Sequence, residues 1–111
     1  ESRYYAACEY DEHNGIFLAL SNHDGKTAWY IPGRSLMHVL YQGFLYLIFV
    51  DESRRYFLIK AETAEGGKIW HHEVDEDLAE YHFSRMGLRL TYASGREETL
   101  SIKSGVVQHS N

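Results

Sequence analysis

The chain alternates apolar and polar residues in short runs, and the runs are separated by Gly-containing turns. Ala79, Tyr81 and Phe83 oppose Glu80, His82 and Ser84, and Leu88 to Tyr92 repeats the same period of two. That period places alternate side chains on opposite faces of a strand. Phe44 to Val50 is a continuous apolar run of strand length. The runs predict strands over Arg3–Tyr10, Ile16–Leu20, Lys26–Ile31, Leu36–Tyr41 and Phe44–Val50. They predict five more over Tyr56–Ala61, Lys68–Val74, Ala79–Ser84, Leu88–Tyr92 and Thr99–Lys103. Asn14-Gly15, Asp24-Gly25, Gln42-Gly43 and Ser94-Gly95 are turn dipeptides of the hairpin kind. Asp75-Glu76-Asp77-Leu78 reads as an acidic turn between strands, and Gly105 to Asn111 as a loose tail. The expectation is an all-β domain over residues 1–111, an antiparallel meander of about ten short strands, because every connection is hairpin-sized.

One unit occurs twice. Ile16 to Leu20 leads through Ser21-Asn22-His23-Asp24-Gly25 into Lys26-Thr27-Ala28-Trp29. Tyr56 to Lys60 leads through Ala61 to Gly67 into Lys68-Ile69-Trp70. Each is an apolar strand, a polar turn ending in Gly, a Lys and a strand carrying Trp. The two Trp lie 41 residues apart, a spacing that suits repeat architectures built only of strands. A third echo, Leu100 to Gly105, stops before any Trp. The repeat-like units run over 16–55 and 56–105, with 106–111 as the tail.

Leu18 to Trp29 and Ile59 to Trp70 resemble the quinoprotein-type (PQQ-like) β-propeller repeat, an Ala and polar residues followed by Gly-Lys and then Trp. The second copy has one residue fewer between Lys and Trp, and a longer turn. The resemblance implies four-stranded blades with the Trp strand packed between neighbours. It implies no quinone, since most such repeats bind no cofactor. A closed propeller needs at least four blades, and this length supplies fewer than three. The alternatives are an up-and-down β-barrel or a two-sheet sandwich. Trp29, Trp70, Phe83 and Tyr81 are the expected structural core.

Composition narrows the function. Hydrophobic residues are 44% and aromatics 14% of the chain, enough for a core and biased toward strands. The formal charge is −5, with a pI near 5.8 and no Lys/Arg cluster, which argues against nucleic-acid binding. No apolar run reaches membrane-spanning length, and no targeting signal is visible. The chain opens on Glu1, as a processed protein or a piece of a longer one would. Cys8, the single cysteine, reads as a buried, inert thiol. His38, among Leu36, Met37, Val39 and Leu40, reads as a half-buried strand histidine.

The densest polar cluster is Trp70 to Asp77 with Glu80 and His82. If Asp75 to Leu78 closes a hairpin, His71 meets His82 and Glu73 meets Glu80 on one face. Opposed carboxylates repel, and a divalent ion such as zinc on His71, His82, Glu73 and Glu80 would offset that. A solvated face neutralised by water, Arg85 or Lys68 is the competing account. No Gly-x-Ser-x-Gly elbow or phosphate loop occurs. Tyr4, Tyr10 and Tyr30 are candidates for a binding surface, because exposed Tyr suits interfaces. Two functions are expected: a non-enzymatic protein-interaction module binding a protein partner or itself, or a small-ligand- or metal-binding barrel, with catalysis at the His71/His82 face. The first needs no cofactor.

Overall fold

In the computed structural model, which describes residues 3–11, 14–51 and 53–110, eleven strands form three antiparallel sheets and no helix. The first sheet holds β1 (Arg3–Glu9), β2 (Gly15–Ser21) and β3 (Thr27–Pro32). The second holds β4 (Arg34–Tyr41), β5 (Phe44–Val50), β6 (Tyr56–Glu62) and β7 (Lys68–Val74). The third holds β8 (Leu78–Ser84), β9 (Gly87–Tyr92), β10 (Glu97–Leu100) and β11 (Val107–Ser110). Each strand pairs with its sequence neighbours inside its sheet. The sheets fan out side by side into a body measuring 46 × 32 × 17 Å.

β5 shows why the sheets stack. All its residues after Phe44 are buried, as happens when both faces of a strand are covered. Leu45, Leu47 and Phe49 join Phe17, Ala19 and Trp29 in the core between the first and second sheets. Tyr46 and Ile48 join Trp70, Leu88, Leu90 and Leu100 in the core between the second and third. One strand of period two thus feeds two cores. The side chains of such a run cannot all be satisfied by a single-sided sheet.

Each junction carries the same lock. Trp29 Nε1 donates to the Thr63 carbonyl at 2.8 Å, and Trp70 Nε1 donates to the Ile102 carbonyl at 2.8 Å. Each indole lies flat against a turn glycine of the next sheet. A Cβ on Gly66 would sit 2.5 Å from the Trp29 ring, and one on Gly105 2.5 Å from the Trp70 ring. Both glycines have left-handed φ, +76° and +73°, a conformation other residues adopt at a penalty. Trp29 and Trp70 are each only 7% exposed, so the expected equivalence of the two Trp holds.

Several expectations change. The tail after Gly105 forms β11, which pairs with β10. β10 is therefore an interior strand, and it ends at Leu100 instead of running on to Lys103. The sheet edges are β1, β3, β4, β7, β8 and β11. The first and last strands lie in different sheets, so the chain is not a closed barrel. Gln42-Gly43 is a tight turn with positive φ at both residues, +50° and +82°. Residues 12 and 13, beside the expected Asn14-Gly15 turn, lie outside the described ones, and Gly15 lacks the positive φ expected of it. Cys8 is exposed rather than buried, because β1 is an edge strand with one bare face. His38 is also exposed, with its ring 5.0 Å from Phe17.

Candidate binding cleft between the second and third sheets

β7 ends at Val74, and the chain crosses to the next sheet through Asp75, Glu76 and Asp77. The crossing leaves the first strands of the two sheets, β4 and β8, flanking a cleft of about 220 Å³. Leu36 and Met37 of β4, Val74 of β7, and Leu78, Tyr81 and Phe83 of β8 line it. Its rim carries Asp75, Glu76 and Glu80. Phe83 is held by a stack on Tyr41, with centroids 4.1 Å apart, and by the edge of Tyr46 at 4.9 Å. Leu36 and Tyr81 are 43% and 46% exposed. The wall is thus apolar, partly fixed and open to solvent on one side. Asp75 is bound to Arg96 at 2.6 Å, whereas Glu76 and Glu80 make no salt bridge among the described residues.

Behind the rim lies a buried polar cluster that joins the two sheets. Glu98 of β10 is 6% exposed. Its Oε1 accepts from Tyr92 Oη at 2.5 Å and lies 2.9 Å from His72 Nε2 of β7. Arg96 Nη1 approaches its other oxygen at 3.5 Å, and the guanidinium lies 4.1 Å over the Tyr92 ring. Burial alone would push the Glu98 carboxyl up. The hydrogen bonds from Tyr92 and His72 and the charges of His72 and Arg96 outweigh it and hold the group below the usual glutamate range. Burial, with Glu98 beside it, pushes the Tyr92 phenol well up. The cluster satisfies a carboxylate that would otherwise be stranded in a core.

Among the described residues, Lys60 is the other buried charged side chain, 6% exposed. Its Nζ donates to the Ile102 carbonyl at 2.9 Å and sits 4.3 Å over the Phe44 ring. Burial lowers the pKa of its ammonium.

The structure does not bring the expected metal ligands together. β7 and β8 belong to different sheets, so the hairpin that would have opposed His71 to His82 and Glu73 to Glu80 does not form. His71 pairs with Ile59 and Glu73 with Phe57 on β6, while His82 pairs with Arg89 and Glu80 with Thr91 on β9. Among the described residues, no group of three or more His, Cys, Asp or Glu is placed to hold a metal ion. Glu80 instead sits at the cleft rim. Tyr81, expected in the core, is a partly exposed cleft wall, and Phe83 is half-buried. Tyr4, Tyr10 and Tyr30 are 61%, 69% and 59% exposed, but none of them lines the cleft.

Glu98 is not among the residues that the sequence singles out. The sequence pattern starts this strand at Thr99, one residue after it, whereas β10 starts at Glu97. The alternation of Glu98 with Leu100 was the available signal, an acid in register with a core leucine.

No protein-family profile matches the chain, and no curated protein sequence does. Among solved structures, it is similar to the crystal structure of BamB from Moraxella catarrhalis, with a TM-score of 0.60 and 13% sequence identity. The match covers 94% of this chain and 35% of that one, so the chain spans about a third of the length of the protein it resembles. BamB is a β-propeller built from PQQ-like repeats. The three antiparallel sheets, each followed by the next through a Trp lock, have the fold of consecutive β-propeller blades.

Proposed function

We propose that the chain is a non-enzymatic protein-interaction module, and that the cleft between the second and third blades receives an apolar side chain from a basic segment of a partner protein. The observation that carries this reading is the pairing of an apolar cleft with the acidic rim formed by Glu76 and Glu80. An apolar wall supplies burial area. Unpaired rim carboxylates favour a cationic flank and steer its approach. The formal charge of −5 extends the same preference over longer range. Likeness to a propeller protein is consistent with an interaction role and by itself establishes only the fold. Self-association receives less support, because the outer face of the first blade carries Tyr4, Ala6 and Leu20 whereas that of the third carries Arg89, Thr91, Glu97 and Thr99.

The test is fluorescence anisotropy with a labelled peptide that carries a Leu-Phe pair flanked by lysines. Saturable binding should weaken about tenfold or more in the Glu76→Lys/Glu80→Lys variant, as expected when two attractive charges become repulsive. Met37→Glu should abolish it. Equal binding by wild type and both variants, or by a peptide with glutamate flanks, would contradict the proposal.

A further inference from the structure

The junction between the second and third blades has two ends, and they carry opposite charge. The cleft with its acidic rim lies at the Leu36 end of β4. At the Tyr41 end lies a groove of about 530 Å³. Tyr41 lines the groove and Phe83 lines the cleft, so the stack of their rings separates the two. The groove has apolar walls in Tyr41, Phe44 and Ile102, and three cations, Lys60, Arg85 and Lys103. Among the described residues no acidic side chain lines it. In a chain with a formal charge of −5, three of the eleven Lys and Arg therefore meet at one opening. None of the three makes a salt bridge among the described residues.

The other junction shows that these charges are not what holds two blades together. Lys60 pairs with Trp70 where Ala19 pairs with Trp29. Ile102 accepts from one indole where Thr63 accepts from the other, so Lys103 stands where the first junction has Ala64. Arg85 follows the end of β8 as Gln42 follows the end of β4. The first junction thus has Ala19, Gln42 and Ala64 at the three cationic positions, and its Trp lock is the same. Lys60 is 6% exposed. Its ammonium has three donors, and among the described residues one hydrogen bond is made, to the Ile102 carbonyl at 2.9 Å. That carbonyl also accepts from Trp70 Nε1 at 2.8 Å. The Phe44 and Tyr46 rings, 4.3 and 5.7 Å from Nζ, offset part of the charge. A buried ammonium is costly unless its charge and its donors are both met, and an oxyanion in the groove would meet both.

We propose that this groove binds a small organic oxyanion, a carboxylate or phosphate carried on an aromatic or alkyl body. The oxyanion lies against Lys60, Arg85 and Lys103, and the body packs on Tyr41, Phe44 and Ile102. Charge-assisted hydrogen bonds from Lys and Arg to such an oxygen are about twice as strong as neutral ones. The groove's volume suits a small molecule, whose sites span roughly 300–1,000 Å³. The inference is independent of the peptide cleft, whose acidic rim disfavours such a ligand.

The test titrates phenylacetate and phenyl phosphate into the ¹⁵N-labelled chain, with phenylacetamide as the neutral counterpart. Saturable amide shifts are expected at Phe44, Arg85 and Lys103. None are expected at Leu36 and Leu78 in the cleft, or at Ala19 and Ala64 in the first junction. The tighter of the two oxyanions identifies the headgroup. Phenylacetamide should bind about tenfold more weakly or worse. Lys60→Met keeps an apolar stem and removes a buried charge, a replacement that folds commonly tolerate. It should weaken oxyanion binding about tenfold or more and leave phenylacetamide unaffected. Should that variant fail to fold, Arg85→Glu/Lys103→Glu changes two exposed residues and should abolish oxyanion binding. Oxyanion binding that is unchanged in either folded variant would overturn the proposal. So would equal affinity for phenylacetate and phenylacetamide, or the absence of saturable shifts up to about 10 mM of either oxyanion.

Discussion

The two blade junctions share a lock and differ in everything around it. Between the first and second blades, Phe17, Ala19, Leu45, Leu47 and Ala61 are all fully buried beside Trp29. That junction is apolar. Tyr5 stacks on Phe17 at its margin, with centroids 6.0 Å apart. Between the second and third blades, Trp70 is flanked by Lys60 on one side and by the Glu98 cluster on the other, and a cleft opens at the rim. Residues at equivalent strand positions show the divergence. Ala19 of the first junction corresponds to Lys60 of the second, and Ile59 to Glu98. The Trp–Gly contact and one indole hydrogen bond are what the two junctions share, and the rest of the interface varies around them. One junction uses that freedom to exclude water. The other keeps ionisable groups and an accessible apolar wall, which is what a binding site requires.

The most damaging way to break this comparison is to remove the shared part. Trp29→Ala and Trp70→Ala should each destabilise the chain by about 3–5 kcal/mol, the range for deleting a large buried aromatic. Urea denaturation would measure both. A large loss in one and none in the other would show that the junctions are not held alike.

A smaller effect separates the turn glycines that meet an indole from Gly25, where an added Cβ would meet nothing within 4 Å. Alanine at any left-handed glycine is strained by about 1–2 kcal/mol. At Gly66 and Gly105 the new Cβ must also displace an indole, with 2.5 Å available in each case. Gly66→Ala and Gly105→Ala should therefore lower the urea midpoint clearly more than Gly25→Ala. Three equal losses would mean that the indole contacts contribute nothing beyond backbone strain.

The two junctions should also part in acid. The folded state holds Glu98 below the usual glutamate pKa of about 4.3. A depressed carboxyl contributes stability above its unfolded pKa and loses it as pH falls through the folded value. The second junction should thus weaken below about pH 4 while the first, which buries no carboxylate, should not. Hydrogen exchange should show β9 and β10 losing protection in acid before β2 does. In Glu98→Gln the order should vanish, because no proton is taken up there. Simultaneous loss in the wild-type chain would sever Glu98 from the junction.

Much of this organisation was legible in the sequence because it rests on local rules. Strand alternation and Gly turns act over a few residues, and the two Gly-Lys units placed Trp29 and Trp70 correctly. The third unit was harder to read. Its Trp position is His109, so β11 looked like a tail. What the sequence hid was which consecutive strands pair. Val74 to Leu78 has the length of a hairpin loop, but its chain crosses between sheets. The turn chemistry of a short acidic loop does not distinguish those outcomes. The imagined cluster of His71, His82, Glu73 and Glu80 rested on that pairing and disappeared with it. The cleft was illegible for the same reason, since Leu36 and Tyr81 meet only across two sheets. Cys8 is exposed although its sequence surroundings read as buried, because strand burial depends on what covers the strand, and nothing in Tyr4 to Tyr10 reports a bare face.

Under the proposed function the second junction, unlike the first, receives a partner's apolar side chain. The most direct measurement is a methyl-detected NMR titration with the Leu-Phe peptide flanked by lysines. The account predicts saturable shifts at Met37, Val74 and Leu78, none at Leu45 and Leu47, and loss of the shifts in Glu76→Lys/Glu80→Lys. Shifts confined to the first junction, or spread evenly over both, would contradict it.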